Sequence, residues 1–145
     1  MDDKIRIMAD KGALANMEKL FQGLADRTRL RLLNLMADRE VCVCYFVEIL
    51  DVLQPTISRH LAYLRRTGLV AVRREGKWIH YRIAVPENQF ARQLLMDTLR
   101  WLAADGEMQR DRLRLSRACC APEKFVNLQG APTPTPVAEL YSKEN

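Results

Sequence analysis

The stretch QPTISRHLAYLRRTGLVAVRREGKWIHYRI, residues 54–83, decides the fold. Proline tolerates the first helical position and restricts the residue before it, so a helix begins at Gln54 and Pro55. Ile57, Leu61 and Leu64 recur at helical spacing as an inward stripe, which leaves Thr56, Arg59, Tyr63 and Arg66 broadly on the opposite side. Gly68 ends the helix as a left-handed cap, with Leu69 as the apolar contact that follows it. Residues 69–74 and 78–85 then show short alternating or β-branched patterns around Glu75, Gly76 and Lys77, the pattern of a hairpin. The major groove of duplex DNA admits one helix, whose first turns reach base edges. Thr56, Ser58 and Arg59 are the side-chain types that donate or accept there, and Arg73, Arg74 and Lys77 on the hairpin suit the phosphates or the adjacent minor groove.

Charge supports the same partner. Residues 54–82 hold seven Lys or Arg and one acid, Glu75, a local surplus of +6 in a chain whose formal total is +5. The remainder is close to neutral, so a polyanion meets one positive face. With 145 residues the chain suits one small domain with a tail. No run of 18 apolar residues occurs, and the charged N-terminal stretch lacks an apolar signal core, so a spanning helix, a membrane partner and secretion are not expected. The four cysteines fall as two tight pairs that bridge poorly, which fits free thiols in a reducing cytoplasm.

Working outward from the central stretch, residues 13–24 place Leu14, Met17, Leu20, Phe21 and Leu24 on one helical face that needs a partner. Asp26 supplies an N-cap for a second helix to about Ala37. Residues 41–53 hold a third apolar stretch with Phe46, Ile49, Leu50 and Leu53 at helical spacing, whose opening VCVC could start either extended or helical. After Pro86, residues 87–104 return to helical spacing with an apolar arc wide enough for a second chain. Asp105 and Gly106 interrupt it, and residues 107–118 mix arginines and acids in a helix-compatible run. The expected organisation is an N-terminal arm (1–12), a core domain (13–105), a helical extension carrying Cys119 and Cys120 (106–120) and a flexible tail around APTPTP (121–145). The expected fold is mainly α with a small β-hairpin.

The runs ADRTRLRLLNLM (25–36), VCVC (41–44), QPTISRHLAYLRRTGLV (54–70) and REGKWIHYRI (74–83) together resemble the ArsR/SmtB family of bacterial winged-helix repressors, over roughly residues 13–104. The resemblance implies a winged helix-turn-helix homodimer built on the first and last helices, with paired recognition helices on a palindromic operator. It places Gln54, Thr56, Ser58, Arg59 and His60 where that family's recognition helix meets DNA. From the residues alone, His60 divides evenly between a DNA contact and a packing role. His80, beside Trp78 and Tyr81, reads as structural, and Tyr63 as a phosphate contact or a ring packed on a neighbour.

Thiolates are soft donors that select soft ions. VCVCYF is equally an apolar setting in which cysteine serves as a small buried hydrophobe, and CxC alone is a weak metal signal. On a regular helix, residues two apart point about 200° from each other, so Cys42 and Cys44 chelate together only from an extended or unwound lead-in. A helix start there also lowers the thiol pKa. In the family, VCVC matches the site that captures trivalent arsenic or antimony in arsenic-responsive members. Those members carry a further cysteine where this chain has Val47. Cys119 and Cys120 are the other candidates, so one or both are expected to complete a three-sulfur site, within the chain or from a second subunit. The function expected is therefore a DNA-binding repressor released by arsenic or antimony.

Alternatives remain open at this point. Four cysteines suit a tetrahedral cadmium, lead or zinc site. The histidine and carboxylate site of zinc-responsive members is absent, since residues 87–118 contain no histidine. A thiol-redox or persulfide sensor of the same fold is a further alternative. A thiol enzyme is disfavoured, because the chain has no CxxC pair and no cofactor loop.

Overall fold

The computed structural model describes residues 12–137. The expected N-terminal arm (1–12) lies almost wholly outside the described residues, as does the end of the expected tail. The elements run α1 (Ala13–Leu24), α2 (Arg27–Leu35), β1 (Arg39–Cys42), α3 (Val43–Leu50), α4 (Gln54–Arg66), β2 (Val70–Glu75), β3 (Trp78–Ile83), α5 (Gln89–Ala104) and α6 (Gly106–Cys120). Two short 3-10 turns, Pro122–Lys124 and Val126–Leu128, precede β4 (Thr135–Pro136).

Local chemistry sets these boundaries. The Asp26 carboxylate accepts the Arg29 amide at 3.0 Å and so starts α2. Asp51, at φ 54, ends α3 in the left-handed conformation that a short polar side chain tolerates better than most. The wing turns through Gly76 at φ 59 between the paired residues Glu75 and Trp78, a two-residue turn that needs a positive φ at its first position. Asp105 breaks the last long helix as expected and caps α6, accepting from the Met108 amide at 3.1 Å.

The strands form one antiparallel sheet in the order β2-β3-β1-β4. The core beneath it joins Leu32, Leu33 and Leu35 of α2 to Tyr45 and Phe46 of α3 and to Ile57, Leu61 and Leu64 of α4, all buried. Each α4 anchor contributes about 1.5–3 kcal/mol by leaving water, which fixes the opposite face of that helix outward. α6 lies across α2. Arg31 forks onto buried Asp111 at 2.8 and 3.0 Å, and the Asn34 amide donates to the Met108 carbonyl at 3.0 Å.

The C-terminal segment departs from the expected flexible tail. Leu128 is buried, Asn127 donates to Glu48 of α3 at 2.7 Å, and Arg39 and Glu40 pair with Pro136 and Thr135. The physical reason is an apolar anchor together with an unpaired β1 edge. Composition from residue 121 onward hides both, because few large apolar side chains are present.

Candidate nucleic-acid interface and thiol site

α4 presents Gln54, Ser58 and Arg59 to solvent, with Thr56 half-buried. Arg59 donates to the Thr56 hydroxyl at 3.3 Å, which holds the guanidinium over the first turn. His60 turns toward α2 instead. Its Nδ1 lies 3.7 Å from Asp26 Oδ1 and 3.4 Å from Arg29 Nη1, so it ties α4 to the start of α2. Tyr63 is likewise packed. Arg29 stacks over its ring at 4.2 Å, and its hydroxyl donates to the Gln22 side chain at 3.3 Å.

Sequence reading missed Arg29. Its guanidinium donates to the carbonyls of Gly23 at 2.9 Å and Gln22 at 2.6 Å, closing the end of α1. With Arg59, His60, Tyr63 and Arg66 it also lines a cleft of about 410 Å³ beside the outward face of α4. A cation near a helix C-terminus is a recognisable local signal. The partner across the turn is not.

The wing's cations divide. Arg74 and Lys77 are exposed, with Lys77 Nζ over the Trp78 ring at 4.9 Å. Arg73 is also exposed but is paired, donating to Glu40 Oε1 at 2.9 and 2.6 Å, with Glu75 at 3.3 Å. Glu40 is buried, and an unpaired buried carboxylate is costly, so Arg73 supplies the cation it needs. His80 is buried opposite Cys42 in the β1–β3 register, with Glu75 at 3.5 Å, in keeping with a structural role.

Cys42 and Cys44 straddle the junction of β1 and α3. Cys42 is the extended N-cap of α3, at φ −71 and ψ 143, and Cys44 stands in its first turn. This is the extended lead-in that chelation by a CxC pair requires, and it brings the two Sγ atoms to 3.2 Å. The Cys44 thiol donates to Cys42. That hydrogen bond, with backbone N–H groups of Cys44, Ile79 and Val43, lowers the Cys42 pKa to about 6 against the opposing effect of burial. Cys44 shifts upward because it keeps the proton that its neighbour gives up.

Cys119 lies in the same core cluster, half-buried, with Arg39 Nη1 at 3.6 Å. Burial raises its pKa, and the Arg39 charge opposes the rise. The Tyr45 phenol is also pushed up, first by burial and then by the charge that Cys119 can carry. Cys120 is exposed at the end of α6. Among the described residues no three His, Cys, Asp or Glu side chains stand close enough to hold a metal ion, so the structure has the Cys42–Cys44 pair without a third sulfur beside it. All four thiols are free.

Two exposed helical faces complete the site's surroundings. Leu14, Met17 and Phe21 of α1 and Phe90 and Trp101 of α5 are exposed. Phe21, Leu24, Leu30, Leu94, Trp101 and Leu102 help to line a groove of about 560 Å³ between those helices. No described helix is long and apolar enough to cross a membrane.

A helix-turn-helix with an outward polar face, flanked by a basic β-hairpin, defines a winged helix-turn-helix DNA-binding regulator. Comparison with known proteins narrows the class. Residues 26–72 match the model of the bacterial regulatory protein, arsR family. The arsenical resistance operon repressor of Escherichia coli K12 is 38% identical over 104 residues, covering 71% of this chain and 87% of that protein. The arsenic resistance transcriptional regulator ArsR1 of Pseudomonas putida is 40% identical over 92 residues, covering 60% and 72% respectively. The homodimeric winged helix-turn-helix DNA-binding domain Mb0332 of Mycobacterium bovis superposes with a TM-score of 0.54 at 29% identity, over 68% of this chain and 89% of that one. The chain belongs to the arsR family of bacterial regulatory proteins, and it is a transcriptional regulator rather than an enzyme.

Proposed function

We propose that the protein is a cytoplasmic, homodimeric repressor that leaves its operator when trivalent arsenic or antimony is captured by cysteine sulfur. The observation that carries this reading is the thiol pair at 3.2 Å, in which the hydrogen bond from Cys44 favours the Cys42 thiolate. Arsenical resistance regulators among its relatives support the choice of ion. Cys42 and Cys44 are two ligands. Cys119 is the third, being the further thiol in the same cluster, and Cys120 beside it is the alternative.

The pair is well placed to govern DNA binding. Cys42 ends a strand that pairs with β3 of the wing, and Cys44 begins a helix that packs on α4. Recruiting a sulfur from α6 shifts β1 and α3 relative to α6, and both DNA-facing elements rest on that unit. The coupling is reciprocal: if the ion weakens DNA binding, DNA weakens ion binding by the same factor. Gln54, Thr56, Ser58 and Arg59 read base edges, while Arg74 and Lys77 contact phosphate. The exposed α1 and α5 faces form the dimer contact.

The test is a titration of the fully reduced protein, bound to a palindromic operator fragment at fixed salt, with arsenite, antimonite, cadmium and zinc in parallel. Release by arsenite and antimonite at the lowest concentrations is the expected result. Release by cadmium or zinc first would move the site to a tetrahedral-metal sensor. No release by any of them would leave the cysteines as packing or redox groups.

A further inference from the structure

Leu53 breaks two local rules at once. It is the N-cap of α4, a position that favours Ser, Thr, Asp or Asn, and it provides no side-chain hydrogen bond there. It is also 77% exposed. Its neighbour Val52, on the same turn, packs against the core, so the turn has sorted two adjacent apolar side chains, one inward and one outward. The Leu53 backbone is fixed, at φ −59 and ψ 141, with its carbonyl accepting from the Thr56 and Ile57 amides at 3.0 and 3.1 Å. The outward direction is therefore set by the turn. Leu53 is also absent from the lining of the α1–α5 groove, which separates it from the exposed apolar side chains of that face.

It stands at the N-terminal end of the polar surface of α4: Gln54 follows directly and is exposed, as are Ser58 and Arg59 further along the helix. The apolar feature of a DNA base edge in the major groove is the thymine 5-methyl group. We infer that Leu53 is a specificity-determining residue of the operator complex, reading a thymine methyl in each half-site beside the polar contacts of α4. This rests on the DNA-binding assignment of the fold and is independent of what the cysteines bind. A residue that sacrifices a helix cap and leaves an isobutyl group in water, at the mouth of a recognition helix, fits a contact made only in the complex.

The experiment uses the full-length protein, reduced and without any ion, on an operator fragment selected from random duplex DNA. Each thymine of one half-site is replaced in turn by deoxyuridine, which removes only the methyl. The expected result is one position at which the wild type loses about fourfold in affinity, the value of one buried methyl. Leu53→Ser and Leu53→Ala lose no further affinity at that position, and binding elsewhere in the site is unchanged. Leu53→Ser also raises the melting temperature, since it supplies the missing cap and removes exposed apolar surface. Three outcomes overturn the inference. One is that no single thymine is methyl-sensitive. The second is an equal methyl effect in wild type and variants. The third is a lower melting temperature or altered oligomeric state of Leu53→Ser, which assigns Leu53 to packing or to a protein contact. Whole-operator binding by the wild type, measured in the same series, separates failure of this inference from failure of DNA binding itself.

Discussion

The DNA-facing half of the molecule and the thiol half are built by opposite strategies. α4 and the wing are made from neighbours in sequence: the Ile57, Leu61 and Leu64 stripe, the Gly76 turn and the hairpin register all arise within about thirty residues. The thiol half is assembled from contacts between distant segments. Arg31 with Asp111, Arg39 with Cys119 and Asn127 with Glu48 each span 79 or 80 residues. A part that forms locally can be read as a rigid tool, whereas a part that depends on a second segment can be moved by what binds that segment.

The sharpest way to break this comparison is to remove one sulfur of the pair. Cys42→Ser and Cys44→Ser each raise the arsenite concentration for half-release by at least about 100-fold, while ion-free operator affinity stays within about twofold of wild type. Parallel release and binding curves check this. Loss of DNA binding by either variant would join the two halves into one.

The same contrast explains what was legible in the sequence. The helix boundary at Gln54, the cap at Asp26 and the hairpin around Gly76 all follow from short-range chemistry, and the structure has them, whereas the start of VCVC stayed open between extended and helical until the structure showed it extended at Cys42. The pairing of Arg73 with Glu40 was not legible, because it answers a buried carboxylate thirty-three residues away. Neither was the docking of residues 122–137, where Phe125 and Leu128 are the large apolar side chains that meet the core from a segment otherwise mostly polar, small or proline. His60 stayed ambiguous because its partners, Asp26 and Arg29, lie at the start of α2, more than thirty residues earlier in the chain.

Within the DNA-facing half, Arg59→Ala costs about 5- to 150-fold in affinity and flattens discrimination among operator sequences. Lys77→Ala instead weakens binding to all sequences alike and lowers the slope of log affinity against log salt by about 1. Fluorescence anisotropy at several salt concentrations distinguishes the two. Within the thiol half, Leu128→Ala destabilises the fold by about 2–5 kcal/mol, read from denaturant unfolding. Its effect on ion-free operator affinity, corrected for the folded fraction, is less than twofold, because α4 and the wing keep their own contacts.

A smaller effect tests the acidity of the pair. In the reduced protein, thiolate absorbance near 240 nm rises with a midpoint at about pH 6 and an amplitude of one thiolate. The folded-state pKa of Cys42 lies below the unfolded value of about 8.5, so its contribution to stability is lost as pH falls through about 6, while the raised Cys44 pKa removes stability as pH rises above about 8.5. Cys44→Ala raises the midpoint, since it removes the hydrogen bond that leads the shift.

The fourth strand bears on how the protein is made. β1 pairs on one side with β3, and its other edge is closed by Thr135 and Pro136, with the Val137 amide bonded to the Asp38 carbonyl at 3.0 Å. On the ribosome β1 emerges early and its second neighbour last. Throughout most of translation the nascent repressor therefore carries an open strand edge leading into a reactive thiol pair. A chain cut short by a premature stop before residue 135 keeps that edge permanently. It retains α4 and the wing but displays the kind of unpaired strand edge that promotes aggregation.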